Sequence, residues 1–224
     1  MRIKLINRLI DKFVFRIGVK IQNSQQKIAR ATLPKFKNNA KGISIGLPRR
    51  IINPHRIYIG NDASIGPGCL LMAVEEYNGV TPAADGEYAL RQKFTPEIII
   101  GNRFTSTGSL QISAHRKVVI EDDVMFASNV FISDGLHGYE NALVPYRYQE
   151  IFKISPIIIK NGCWIGQNVV VLPGVTIGEL SIIGANSVVT SDIPDRCIAV
   201  GSPARVIKKW NEKNKAWERF VDEK

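Results

Sequence analysis

Cysteine and histidine are scarce in this 224-residue sequence, with three of each, and long apolar runs are missing. The cysteines, Cys69, Cys163 and Cys197, are odd in number and lack the spacing of a disulfide framework. We therefore expect buried, reduced, structural thiols. A membrane-spanning helix needs about 20 consecutive apolar residues, and no stretch supplies them, so the sequence predicts no transmembrane segment.

Acidic residues are nearly absent from the first 42 positions, which carry eleven lysines and arginines against Asp11 alone. The remaining chain holds 19 basic and 19 acidic residues, so the whole formal charge of +10 lies in this extension. Apolar residues recur at steps of three and four, and basic residues every four, as in an amphipathic helix. The apolar stripe is Ile6, Ile10, Phe13, Ile17 and Ile21, and the basic positions are Lys4, Arg8, Lys12, Arg16 and Lys20.

Residues 1–42 therefore have two interpretations. A basic amphipathic helix can lie on an anionic membrane surface, with its cations near the headgroups. It can equally pack its stripe on the rest of the chain or on a second subunit. Charges every four residues, without a following cleavage site, argue against a secretory signal. We expect a cytoplasmic protein, with attachment to the inner face of the membrane as the alternative, and no nucleic-acid partner.

The most informative feature is a repeat of six residues between Ile159 and Pro194. Neither a helix nor an alternating strand has this period. It fits a solenoid of very short parallel strands, in which β-branched residues point inward and Gly, Asn or Asp occupy the corners. The six repeats begin at Ile159, Ile165, Val171, Ile177, Ile183 and Val189; less regular ones begin at Ile59, Ile65, Ile100, Ile120, Phe126 and Ile132.

These repeats resemble the hexapeptide-repeat acyltransferases, most closely the polysaccharide and sugar O-acetyltransferases. The segment Ala199-Val-Gly-Ser-Pro-Ala-Arg-Val-Ile-Lys-Lys209 is similar to that family's ending at the acyl-coenzyme A site. The resemblance implies a mainly β fold, a left-handed parallel β-helix with three hexapeptides per coil. It covers residues from about 43 to 209.

The domain boundaries follow from where the repeat starts, breaks and stops. We expect a basic helical extension over 1–42, the β-helix over 43–205, and a C-terminal capping helix over 206–224 containing Trp210, Trp217 and Phe220. Two insertions interrupt the β-helix, at 72–96 and 138–155. Solenoid insertions map to loops, often on the binding face. The second is rich in tyrosine, which suits either a sugar or a subunit contact.

Acyl transfer from a thioester to a hydroxyl needs a base, and histidine serves this purpose near neutral pH. His55 and His115 are expected to be surface or locally bonded residues. His137 lies in Asp134-Gly-Leu-His-Gly138, which resembles the Asp-x-x-His-Gly segment of the O-acetyltransferases and implies that His137 is the catalytic base. Many relatives carry a second histidine where this chain has Gly135. Asp134 and Glu140 are the candidates for orienting His137.

The resemblance also implies acetyl-CoA as the acyl donor, bound in a groove between two subunits of a homotrimer, and no metal. The cofactor-binding positions carried over are Trp164 and Gln167 near the thioester, Ala185 and Thr190 along the pantetheine, and Arg205 and Lys208 toward the phosphates. Cations near the phosphates make physical sense because coenzyme A is multiply anionic. Trp164 has an alternative as a packing residue at a coil corner.

The function expected from the sequence is acetyl-CoA-dependent O-acetylation of a sugar hydroxyl in a surface polysaccharide or glycolipid precursor. The alternatives are N-acetylation of an amino sugar and a non-catalytic, membrane-associated binding solenoid. A γ-type carbonic anhydrase shares the fold, but its zinc needs three converging histidines, and His55, His115 and His137 lack that spacing.

Overall fold

The computed structural model describes the backbone of residues 2–78 and 91–220, and the side chains of residues 11–77 and 92–220. This part of the chain holds one α-helix, α1 (Arg2–Ala31), followed by strands. In chain order the strands are β1 (Ser44–Ile45), β2 (Arg49–Ile52), β3 (Ile57–Ile59), β4 (Ser64–Ile65), β5 (Cys69–Ala73), β6 (Glu76–Asn78), β7 (Arg91–Lys93), β8 (Glu97–Ile100), β9 (Thr105–Ser106), β10 (Gln111–Ala114), β11 (Lys117–Ile120), β12 (Met125–Phe126), β13 (Phe131–Ser133), β14 (Leu136–His137), β15 (Ile151–Phe152), β16 (Ile157–Ile159), β17 (Trp164–Ile165), β18 (Val170–Val171), β19 (Thr176–Ile177), β20 (Ile182–Ile183), β21 (Val188–Val189), β22 (Cys197–Gly201), β23 (Ala204–Asn211) and β24 (Ala216–Arg219).

Three sheets of short parallel strands form the body of the molecule. The first sheet has the order β1-β4-β9-β12-β17-β20-β22, the second β2-β5-β10-β13-β18-β21, and the third β3-β8-β11-β16-β19. Successive strands of the chain visit the three sheets in turn, so each coil is a triangle with one strand on every side. The hexapeptide period therefore produces the predicted parallel β-helix.

The first residue of each predicted repeat points into the coil. Ile59, Ile65, Ile100, Ile120, Phe126 and Ile132 are all buried, as are Ile159, Ile165, Val171, Ile177, Ile183 and Val189. They belong to one continuous hydrophobic core that runs along the axis of the coil. Burial of one large aliphatic side chain per face, repeated coil after coil, is what stabilises a solenoid of strands only two or three residues long.

Both predicted insertions leave the coil at the same corner, between the second and third sheets. We call this the insertion corner; it comprises residues 74–78 and 91–96, 115–116 and 134–156 of three successive coils. The first insertion begins and ends in the antiparallel pair β6 and β7, and residues 79–90 within it, including Ala83–Gly86, lie outside the described residues. The second is closed by the antiparallel pair β14 and β15.

The extension forms the predicted helix, which ends at Ala31 rather than near residue 42. Every side chain from Asp11 to Ile28 is exposed, so this stretch does not pack on the β-helix of its own chain. Arg49 joins the end of the helix to the first coil, because its guanidinium donates to the carbonyl of Ala29 at 2.9 Å and to the carbonyl of Ile45 at 2.6 Å. Phe36 then covers the first end of the core.

The predicted C-terminal helix is wrong: residues 204–211 and 216–219 are strands. A turn at Gly201, whose φ of 105° suits glycine, reverses the chain, and β23 pairs antiparallel with β22, followed by β24 on β23. Trp210 and Trp217 face each other across this hairpin, with ring centroids 5.5 Å apart. The seven-residue spacing of Trp210 and Trp217 fits two helical turns, but it equally suits a cross-strand pair. The hairpin covers the edge left by the last coil.

Candidate functional site

A cavity of about 480 Å³ lies at the insertion corner, between the two insertions and the outer face of the second sheet. Met72, Gln111 and Phe131 on the sheet form one wall, and Tyr77 and His137 of the two insertions form another. The two insertions hold each other across it. The side chain of Gln92 donates to the carbonyl of Ile151 at 3.0 Å and accepts from the amide of Ile151 at 2.7 Å.

His137 stands at the mouth of this cavity with an exposed side chain. It lies on β14, directly opposite Ile151 of β15, and the amide of the next residue, Gly138, donates to the carbonyl of Glu150 at 2.8 Å. These contacts with the second insertion fix the backbone of His137.

The His137 ring contacts a tyrosine that the sequence motifs did not single out. The Nδ1 atom of His137 lies 3.4 Å from the hydroxyl of Tyr77, and the two rings meet edge to face with centroids 5.4 Å apart. Tyr77 donates its own proton to the carbonyl of Arg147 at 3.0 Å. Its oxygen is therefore left to accept a proton from Nδ1, which leaves Nε2 of the neutral ring as a proton acceptor.

Neither predicted partner orients His137. Asp134 is fully buried, and its carboxylate accepts from the backbone amides of His115, Arg116 and Lys117 and contacts Nδ1 of His115. The structure therefore pairs Asp134 with the histidine of the preceding coil, although His137 is only three residues away in sequence. Glu140 is exposed and has no hydrogen bond to His137.

The predicted cofactor residues lie elsewhere on the coil. Trp164 is 47% exposed on the outer face of the first sheet, in register with Ile182 of the next coil and Ile198 of the one after. Lys208 of β23 pairs opposite Ile198, and Arg205 pairs opposite Val200. Residues directly opposite in a ladder share a face, so the tryptophan and both cations lie on the same outer surface.

This shared surface depends on an irregularity in the hairpin. The register of β22 and β23 shifts between Ile198 and Ala199, so Arg205 and Lys208, three residues apart, both pair with outward-facing residues. Strands in a sheet are about 4.8 Å apart, which puts Lys208 about 14 Å from Trp164 along the row. An exposed aromatic ring and two exposed cations at that separation suit an elongated anionic ligand.

A single chain does not bring all the predicted site residues together. Gln167 and Ala185 are exposed at the corner between the first and second sheets, where the amide of Asn186 donates to the carbonyl of Gln167 at 2.8 Å. Thr190 follows β21 and therefore lies at a corner between the second and third sheets, on the same edge of the β-helix as His137. The insertion corner is opposite the first sheet in each triangular coil, so His137 and Trp164 are on different sides of the molecule.

The cysteines have the predicted environment. Cys69, Cys163 and Cys197 are all buried and free. Burial raises the pKa of all three thiols, and that of Cys163 to about 11. Cys163 Sγ also contacts the carbonyl of Gly178 at 2.9 Å. These are structural thiols in the core, away from the cavity.

Comparison with known proteins finds the same repeat in a family of transferases. Residues 156–191 match the family model described as bacterial transferase hexapeptide (six repeats). The resemblance to the hexapeptide-repeat acyltransferases, inferred from the period of the sequence, is thereby confirmed.

Two curated relatives and one solved structure show the range of this similarity. The putative lipopolysaccharide biosynthesis O-acetyl transferase WbbJ of Escherichia coli K12 is 38% identical over 116 residues, covering 49% of this chain and 59% of the relative. The galactoside O-acetyltransferase of the same strain is 42% identical over 118 residues, covering 53% and 57%. The chain thus spans less than two thirds of the length of these relatives.

The solved structure is a variant of AntD, an N-acyltransferase from Bacillus cereus, in complex with dTDP and coenzyme A. It superimposes with a TM-score of 0.63 at 22% identity, covering 85% of this chain and 91% of AntD. At that identity the similarity shows that the two proteins share a fold. Among the described residues, no helix is both long and apolar enough to cross a membrane.

Proposed function

We propose that this protein is an acetyl-CoA-dependent O-acetyltransferase that acts on a sugar hydroxyl of a surface polysaccharide or glycolipid precursor. The observation that carries the proposal is the exposed His137, mounted on β14 at the mouth of a 480 Å³ cavity between the two insertions. The curated relatives named as O-acetyltransferases support this reaction class.

His137 is proposed as the general base. Its Nε2 takes the proton of the acceptor hydroxyl as the oxygen forms a bond to the acetyl carbon. When the bond between that carbon and sulfur breaks, the imidazolium returns the proton to the departing sulfur, so the histidine ends neutral. The contact of Tyr77 with Nδ1 leaves Nε2 as the ring nitrogen available to the acceptor hydroxyl.

Acetyl-CoA would supply the activated acetyl thioester, and the surface that fits it is the outer face of the first sheet. Trp164 lies at one end of the row, and the exposed Arg205 and Lys208 lie at the other, where phosphates would meet them. Gln167 and Ala185 at the adjacent corner, with Thr190 at a later corner between the second and third sheets, complete the proposed cofactor contacts. A groove between two subunits is the arrangement that brings these separated groups toward one His137.

The direct test is release of free coenzyme A thiol from acetyl-CoA in the presence of glycosides and, separately, amino sugars. We expect release with glycosides that carry free hydroxyls. Release with amino sugars alone would replace the proposal by N-acetylation, and coenzyme A binding without release would leave a non-catalytic binding protein.

The variant His137→Ala tests the base. We expect turnover to fall by about 10²–10⁴ while coenzyme A still binds, because proton removal is lost and the cofactor surface is untouched. His55→Ala is the matched control, since His55 is exposed and contacts Glu75, outside the cavity lining. Wild-type turnover in His137→Ala would exclude it as the base.

A further inference from the structure

The buried carboxylate of Asp134 holds the turn at residues 115–117 in the insertion corner. Oδ1 accepts from the amide of His115 at 2.6 Å, and Oδ2 accepts from the amides of Arg116 at 2.7 Å and Lys117 at 2.6 Å. The residue is completely shielded from solvent. Three backbone donors satisfy the carboxylate without any side chain, so the turn is held whether or not the His115 ring takes part.

The His115 ring is nevertheless fixed in one orientation. Its Nδ1 lies 3.2 Å from Oδ1 of Asp134, and Phe94 packs edge to face against it with ring centroids 5.2 Å apart. The ring also fills the space beside Gly135, where a Cβ atom would come within 2.9 Å of Nδ1. A side chain at position 135 would displace the ring, so glycine there is part of this arrangement.

The remaining ring nitrogen is free to meet a ligand. The Asp134 carboxylate accepts hydrogen bonds from all its other partners, so we expect Nδ1 of His115 to carry a proton and donate it to the carboxylate. In the neutral ring, Nε2 is then an acceptor. Nε2 makes no hydrogen bond to the described residues, although the side chain is only 8% exposed. The ring lines the same cavity as His137. A nearly buried acceptor on a residue that lines a cavity calls for a donor from whatever occupies that cavity.

We infer that the Asp134–His115 pair forms an acceptor subsite, in which Nε2 of His115 accepts a hydrogen bond from a second hydroxyl of the carbohydrate. This rests on the proposed function, in which His137 takes the proton from the reacting hydroxyl. A sugar ring offers several hydroxyls and apolar C–H faces, and the cavity sets the buried imidazole beside Met72, Phe131 and Leu136. His115 is thus a specificity-determining residue that selects polyhydroxylated acceptors.

The kinetic test uses His115→Phe, which keeps a ring against Phe94 and removes both nitrogens, while Asp134 retains its three backbone donors. We expect KM for the acceptor to rise about tenfold, the usual scale for one lost hydrogen bond. We expect kcat to change less than about threefold. His55→Phe is the matched control and should leave both parameters unchanged.

Monodeoxy analogues of methyl glycosides sharpen this test. Removing the hydroxyl that His115 binds should weaken the wild type about tenfold and have little further effect on His115→Phe, because the two changes delete one interaction. Unchanged acceptor KM in a folded His115→Phe would overturn the subsite. A fall in kcat of a hundredfold or more with unchanged KM would also overturn it, since the residue would then act on the reacting hydroxyl.

A binding measurement separates this proposal from the proposed function. With only three histidines in the chain, ¹³C-labelled imidazoles can be assigned by comparing wild type with His55→Phe and His115→Phe. Addition of methyl glycosides should shift the His115 resonance. That shift without thiol release from acetyl-CoA would uphold the subsite while refuting the proposed function. No His115 shift with any glycoside would refute the subsite, with or without thiol release.

Discussion

At the scale of single residues, the sequence motif located His137 but not its surroundings. Asp134 precedes His137 by three positions, yet its carboxylate turns into the corner and binds the amides of residues 115–117. His115 and Tyr77 are 22 and 60 residues from His137 in the chain, and only the stacking of coils brings them to one cavity. No local pattern marks such contacts.

Arg205 and Lys208 give the first prediction at this scale. Replacing both by alanine should raise the dissociation constant of coenzyme A by about 10- to 100-fold, since each change removes one charge-assisted contact to a phosphate. Lys209→Ala is the control, because Lys209 pairs opposite the buried Cys197, on the other side of the ladder. Calorimetric titration measures the constant. If the double variant binds like the wild type, the phosphates lie on another surface.

Cys163 gives a prediction about alkaline pH. Burial raises its pKa to about 11 in the folded protein, whereas an unfolded thiol ionises near 8.5. Below the unfolded pKa both states hold the proton, and as pH rises toward 11 only the unfolded state gains by losing it. Folding stability therefore falls, by about 2 kcal/mol between pH 8 and pH 10. Urea unfolding should show this extra loss in wild type relative to Cys163→Ala, and identical pH slopes would contradict it.

At the scale of elements, strand positions inside the β-helix were predictable because each inward residue obeys a period of six. The C-terminal segment has no such period. The spacing of Trp210 and Trp217 fits two helical turns and an antiparallel pair alike, and the unpaired edge of β22 decides in favour of strands. Tertiary context, which the sequence does not display, overrode the local pattern.

The helix α1 gives the prediction at this scale. Phe13, Ile17 and Ile21 are 65%, 42% and 54% exposed, beside the basic Lys12, Arg16 and Lys20. We expect the full chain to co-sediment with anionic vesicles at low salt, since each cation near such a surface contributes about 1 kcal/mol and the apolar side chains add burial. Phe15 and Val19 are exposed as well, but the helical period places them among the basic positions, on the face away from the stripe.

Variants in the full-length protein separate membrane binding from subunit packing. The double variant Phe13→Ser with Ile17→Ser should abolish co-sedimentation. The control Leu180→Ser replaces an exposed apolar residue of the β-helix and should not abolish it. Added salt should weaken binding, because the Debye length shortens to about 10 Å at 0.1 M. Wild-type protein that stays in the supernatant at low salt would assign the stripe to a subunit contact.

At the scale of the whole molecule, the triangular coil separates the proposed catalytic and cofactor residues. His137 belongs to the corner between the second and third sheets, and Trp164 to the outer face of the first sheet, which is the opposite side. One chain cannot bring them together. We expect a threefold assembly, which would present the corner of each subunit to a face of its neighbour and would close on itself. Exposed Met125 and Trp164, paired in register on that face, suit such a contact.

The last prediction is therefore a trimer whose sites are shared. Light scattering of the 24.9 kDa chain should give a mass of about 75 kDa. Co-expression of His137→Ala with Trp164→Ala should restore activity to about a quarter of the wild-type level, because random mixing leaves that share of interfaces with both native residues. Each variant alone should be nearly inactive. A stable, active monomer, or mixtures no more active than either variant, would show that each chain builds its site alone.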